Sequence, residues 1–152
     1  MKQPEYTVIV DSDEKTPWVF PDVPNIRQKL PTGDYSIVGL ESVVTIERKS
    51  LKDFVNTVIH NDARFTAELQ RMQTFEHVII VVESSPDAVM RRAYGTGTHP
   101  HSVLGKMLEI VMGWGIDVHW WGSRQGANWL AGKWLERVWT AVGKTANEPW
   151  GI

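Results

Sequence analysis

The chain has 152 residues, no cysteine, 42% hydrophobic and 22% charged residues, and a formal net charge of −2. That length suits one domain with a real core, spanning 1–152 with a body of about 6–142 and a loose tail over 143–152, and the composition is that of a soluble globular protein. No apolar run reaches the roughly 20 residues of a membrane helix, and disulfides and thiolate metal sites are excluded, so a reducing, cytoplasmic setting is expected, with no membrane.

The N-terminal residues lack the apolar stretch of a secretory signal. Tyr6 to Val10 is a short β-branched run that stops at Asp11 and reads as a buried strand. Prolines at 17, 21, 24 and 31 leave room for at most a short helix around Asn25 to Lys29. Gly33 to Val38 and Val43 to Lys49 read as two strands joined by Gly39-Leu40-Glu41-Ser42, short enough for an antiparallel hairpin.

Ser50-Leu51-Lys52-Asp53 resembles a capping box, and Leu51, Phe54, Val55, Val58 and Ile59 follow at helical spacing. Asn61 or Asp62 is the expected cap of a second helix that buries Phe65, Leu69 and Met72. Val78 to Val82 has the unbroken apolar character of a strand covered on both faces. A helix over His101 to Met112, a strand over Ile116 to Trp121 and a helix over Gln125 to Val142, capped by Gly143, complete the order. The pattern predicts a single α/β domain, a central mixed sheet flanked by helices.

Side chains alternate along a strand, so Glu47 and Lys49 share a face, as do Asp34 and Ser36. A hairpin symmetric about Leu40-Glu41 puts Ser36 opposite Thr45 and Asp34 opposite Glu47, with Cβ atoms roughly 4.5–5.5 Å apart. Two carboxylates that close repel unless a cation lies between them, and a hard divalent ion with oxygen ligands is the natural one. Lys49, one pleat further on, is placed to reach a water or phosphate beside that ion. Such a set suits metal-assisted phosphodiester hydrolysis.

At these residues the chain resembles a known family. Gly33-Asp34-Tyr35, then Glu47-Arg48-Lys49-Ser50 with Asp53 beyond, looks like the GD…ERKxxxD signature of the XPF-type structure-selective endonuclease domain, in the PD-(D/E)XK superfamily with its restriction-endonuclease-like fold. Val10-Asp11-Ser12-Asp13-Glu14 is similar to the family's V-D-x-R-E segment, and Arg64, followed by Phe65 and Glu68, to a basic position of its next helix. The resemblance spans about Val8 to Val138 and is closest to stand-alone bacterial and phage forms. It implies Mg²⁺ or Mn²⁺ and a DNA substrate, with preference for branched, flap or junction forms in repair, recombination or phage DNA metabolism.

It also implies catalysis by Asp34, Glu47, Lys49 and Asp11, with metal held by Asp34, Glu47, Asp11 and Glu14. Arg48, Lys52 and Arg64 are the expected DNA contacts. Asp13 stands where the family carries arginine, which removes a basic contact there. A non-catalytic DNA-binding or scaffold relative, or an RNA-directed nuclease, is the alternative function. The family's habit of dimerising implies a homodimer, and Trp129, opposite the apolar stripe of the last helix, is the expected contact.

Overall fold

Unbroken β-branched runs become the middle of a sheet, and the amphipathic segments between them become its helical cover. The computed structural model describes residues 5–60, 63–95 and 97–143. Among these, the strands are β1 Val8–Asp11, β2 Asn25–Gln28, β3 Tyr35–Ile37, β4 Val44–Lys49, β5 His77–Val82 and β6 Asp117–Trp120. They form one sheet in the order β2-β1-β3-β4-β5-β6. β1, β3 and β4 are antiparallel neighbours, whereas β2 runs parallel to β1, and β5 and β6 parallel to β4. The expected single mixed-sheet α/β domain is what the structure contains.

The helices are α1 Leu51–His60, α2 Ala63–Met72, α3 Pro86–Met90, α4 Pro100–Leu108 and α5 Arg124–Gly143. α5 covers one face of the sheet, where Ala127, Ala131, Leu135 and Val138 pack on residues such as Val10, Ile46 and Val81. α1, α2 and α4 cover the other face, where Phe54, Leu69 and Val103 join Ile80 and Val82. Each such large apolar side chain contributes roughly 1.5–3 kcal/mol on full burial. The two faces of β4 therefore see different surroundings, which decides what Glu47 and Arg48 each do.

Two local readings are corrected here, and one element was not foreseen. The 25–29 segment is not a helix but the edge strand β2, exposed along its length. A five-residue helix is a poor nucleus, whereas β1 offers partners at once: the Val8 and Ser12 N–H groups donate to the Pro24 and Gln28 carbonyls at 2.9 and 3.2 Å. The 101–112 helix ends in a π turn, Glu109–Gly113, in which Trp114 N–H donates to the Glu109 and Ile110 carbonyls. The wider turn rotates the apolar stripe, so Ile110 is buried while Leu108 and Met112 face outward. α3, unforeseen, starts at Ser85, whose hydroxyl accepts the Ala88 N–H at 3.2 Å, with Pro86 at its first position.

Gly143 is itself helical, a part of α5 rather than a residue beyond it. The expected Asn61 or Asp62 cap and the tail from 144 onward lie outside the described residues.

Candidate active site

Tyr35 stands opposite Ile46, the register that hairpin symmetry predicts. Asp34 lies just before β3, and its N–H donates to the Ile46 carbonyl at 2.8 Å. One carboxylate oxygen, Oδ2, accepts the Arg48 main-chain N–H, also at 2.8 Å. Gly33 makes this approach feasible. Its φ is +81°, and a Cβ there would sit 1.8 Å from Thr45 Oγ1. Buried Thr45 uses that hydroxyl to donate to the Thr32 carbonyl at 2.9 Å, which draws the 32–34 segment down onto β4.

Glu47 and Lys49 point to the α1/α2 side, where Lys49 Nζ is 3.4 Å from Glu47 Oε1. They lie in a cleft of about 440 Å³ whose walls carry Asn56, Thr57 and His60 from α1 and Arg64, Phe65 and Glu68 from α2. Burial, then the neighbouring Asp34 charge, holds the Glu47 carboxyl well above its usual range. Burial is also the main reason that Asp34 is raised from 3.8 to about 7. Burial pulls Lys49 down, but the carboxylates of Glu47, Glu68 and Asp34 outweigh it, and the ammonium ends above the ordinary lysine value. Two neighbouring carboxylates that resist joint ionisation would be relieved by a cation between them.

The donor set fits a hard divalent ion. Among the described residues no group of three or more histidines, aspartates or glutamates encloses a metal position. Mg²⁺ is commonly held by one or two carboxylates, keeping several waters and taking phosphate oxygens, and an open polar cleft allows that.

The other expected residues divide. Arg64 lines the cleft, and Lys52 is exposed on the first turn of α1. Asp53, also exposed, supplies the helix-start bond, its N–H donating to Ser50 Oγ at 3.2 Å. Asp11 neighbours Asp34 through the main chain, its N–H donating to the Asp34 carbonyl at 2.8 Å. Its carboxylate is engaged elsewhere: Oδ1 accepts the Leu30 N–H at 2.7 Å, and Oδ2 takes the Asp13 N–H at 3.3 Å and lies 3.5 Å from Lys29 Nζ. Asp13 itself pairs with Lys29 at 2.6 Å on the surface.

Glu14 and Arg48 do not join the cleft group. Arg48 leaves β4 on the α5 side, where its Nε is 2.9 Å from Glu14 and its Nη1 2.7 Å from Glu83. Glu83 carried no role in the sequence reading, and Tyr35 entered it only as the neighbour of Asp34. The one signal for Glu83 was a carboxylate placed directly after an unbroken apolar strand. Thr57 and His60 were equally unmarked, being ordinary polar residues of an amphipathic helix.

A mixed sheet whose central hairpin presents Glu47 and Lys49 to an open cleft, with Asp34 beside them, has the architecture of the XPF nuclease domain. The chain belongs to the ERCC4 domain family, which it matches over residues 21–132. It is similar to XPF from Aeropyrum pernix at 27% identity and a TM-score of 0.68, over 88% of this chain and 65% of that one. The same protein in complex with DNA gives 26% identity and 0.68, over 94% and 70%. A putative ATP-dependent RNA helicase of Methanocaldococcus jannaschii is 30% identical over 113 residues, which is 73% of this chain and 13% of that protein. The chain thus spans a small part of that relative and about two thirds of the solved structures. Among the described residues no helix is long and apolar enough to cross a membrane.

Proposed function

We propose that this chain is a divalent-metal-dependent DNA endonuclease, with Asp34 and Glu47 holding Mg²⁺ or Mn²⁺ and Lys49 acting on the water or phosphate beside it. The observation that supports the reading is Lys49 3.4 Å from Glu47 in a cleft open to solvent, with the Asp34 carboxylate held beside β4 by the Arg48 N–H at 2.8 Å. A bound Mg²⁺ would supply Lewis-acid polarisation of the phosphate and a more acidic water. The chain's own residues do the rest. Lys49, kept as an ammonium by its carboxylate neighbours, orients the attacking water and offsets charge growing on the phosphoryl oxygens. Arg64 on the cleft wall and Lys52 on the exposed side of α1 hold flanking phosphates.

Asp11 serves the site through the main chain that it shares with Asp34. Preference for branched, flap or junction DNA, and work in repair or recombination, follow from the family resemblance. The homodimer stands on Trp129, 63% exposed at the rim of an apolar groove that Val19, Phe20 and Gly132 also line.

The test is a cleavage panel in Mg²⁺: linear duplex, flap, fork, four-way junction, single strand and an RNA control. Cleavage of a DNA substrate that EDTA abolishes, and that Ca²⁺ replaces for binding but poorly for turnover, supports the reading. DNA binding without cleavage in Mg²⁺ or Mn²⁺ rejects it in favour of a binding module. Cleavage of the RNA alone rejects the substrate class.

A further inference from the structure

The polar network on the far side of β4 has no part in the chemistry described so far, yet it is built with more partners than the cleft itself. The Arg48 guanidinium is 14% exposed, and the Glu14 and Glu83 carboxylates that it pairs with are 12% and 8% exposed. Each carboxylate is held a second time. Glu14 Oε2 accepts the Tyr35 hydroxyl at 2.8 Å, and Glu83 Oε2 accepts Trp18 Nε1 at 2.9 Å. Tyr35 in turn accepts the Trp18 N–H at 2.8 Å, and the two rings stack with centroids 4.7 Å apart. Arg124 Nη1, 3.7 Å from Glu83, supplies a second positive charge at the edge of the network.

These groups come from the loop after β1, from β3, from β4 and from the end of β5, and they converge on one residue. That residue is also the one whose main-chain N–H holds Asp34 Oδ2 at 2.8 Å. A buried cluster of charges is an inefficient way to stabilise a fold, since desolvation offsets most of the attraction. It is an effective way to fix a side chain in one place, because every charged atom has a required partner.

We propose that Glu14, Arg48 and Glu83 form a positioning clamp that fixes β4 from beneath and, through the Arg48 amide, sets where the Asp34 carboxylate stands relative to Glu47. Glu14 is then a partner of Arg48 rather than a metal ligand, and Arg48 a positioning residue rather than a DNA contact. The clamp's role in catalysis rests on the endonuclease reading above. Its effect on Asp34 does not.

The experiment uses the full chain with Glu83→Gln, Glu14→Gln and Arg48→Lys, each checked for folding by circular dichroism. Three quantities are read: the Mn²⁺ dissociation constant without DNA, kcat and KM on the best DNA substrate, and the NMR signals of the Arg48 amide and the Asp34 carboxyl carbon. Support is a shifted, faster-exchanging Arg48 amide in Glu83→Gln and Glu14→Gln, and a moved Asp34 signal in all three variants. With them should come Mn²⁺ affinity about 10- to 100-fold weaker, as when groups that orient metal ligands are lost, and a fall in kcat at near-constant KM. Folded variants whose Arg48 and Asp34 signals match wild type overturn the clamp. So does a raised KM with unchanged Mn²⁺ affinity, which marks Arg48 as a DNA contact, or a loss of Mn²⁺ binding confined to Glu14→Gln, which marks Glu14 as a ligand. A wild-type protein that binds no Mn²⁺ and cuts no DNA sinks the endonuclease reading alone, and the NMR signals still decide the clamp.

Discussion

Replacing Gly33 with alanine tests whether the descent of the 32–34 segment onto β4 is what places Asp34. At φ +81° any side chain is strained, at about 1–2 kcal/mol. The new methyl would lie 1.8 Å from Thr45 Oγ1 and 3.2 Å from the Ile46 carbonyl. Thr45 is fully buried, so relief requires the strand or the turn to move. Overpacking of that kind costs roughly 1–3 kcal/mol. The Thr45 to Thr32 hydrogen bond, 2.9 Å long, lies in the path of the methyl, and its loss adds about 0.5–1.5 kcal/mol.

Together these predict a destabilisation of about 2.5–6.5 kcal/mol, or a fall in melting temperature of roughly 5–26 °C for a domain of this size. Urea unfolding and thermal melts measure it directly. Adding Thr45→Ala removes the hydroxyl overlap but not the strain, so the double variant should recover part of the loss, with a coupling of about 1–3 kcal/mol between the two sites. Mn²⁺ affinity should fall in Gly33→Ala because Asp34 moves with the turn. A variant that melts within about 2 °C of wild type and binds Mn²⁺ as tightly refutes the argument.

Asp34→Asn, Glu47→Gln and Lys49→Ala should each reduce cleavage to near zero with circular dichroism unchanged, and a pure Asp34→Asn protein as active as wild type rejects the site. A carboxyl raised from 3.8 to about 7 in the folded chain favours folding while protonated, so its contribution is complete below the unfolded value and is lost as pH rises to about 7. In EDTA, wild type should therefore lose stability relative to Asp34→Asn between about pH 4 and pH 7, by up to roughly 4 kcal/mol, and change little above that, with Mg²⁺ opposing the loss; a pH-independent difference measured by urea unfolding contradicts it. Light scattering at micromolar concentration should give a dimer mass that Trp129→Glu halves. A monomer in wild type rejects the dimer, and an intact dimer in the variant rejects this face of α5.

The register of the hairpin, Tyr35 opposite Ile46, was legible because two local rules suffice for it: alternation along a strand and the symmetry of a short loop. Arg48 was not legible by the same rules. Alternation already put it on the face away from Glu47 and Lys49, but a positive charge beside a phosphate chemistry invites a DNA role, and the group that neutralises it, Glu83, is 35 positions further on. The ion pair of Glu14 with Arg48 was hidden similarly, since Arg48 is on a strand that is remote in sequence. β2 was hidden because its residues are exposed and polar, and only the open edge of β1 gives them a reason to extend. The π turn was hidden because Leu108 and Met112 fit a regular helix as well as Ile110 does, and only packing against the sheet chooses between them.

The placement of the cleft residues on one hairpin also bears on how the molecule assembles. β3 and β4 meet by closing a loop of a few residues, a small entropic barrier, whereas β5 and β6 join in parallel only after helical crossovers are in place. Distant pairings of that kind are the slow steps in folding. The carboxylate pair is thus brought together by the quick part of the chain, and the rate of reaching the native state is set by docking β5 and β6. Substitutions on the Glu47 face of β4 that preserve the hairpin should leave refolding rates nearly untouched, while truncations at Ile80 or Val82 should slow refolding or speed unfolding, with the chemistry altered only as far as Glu83 is displaced.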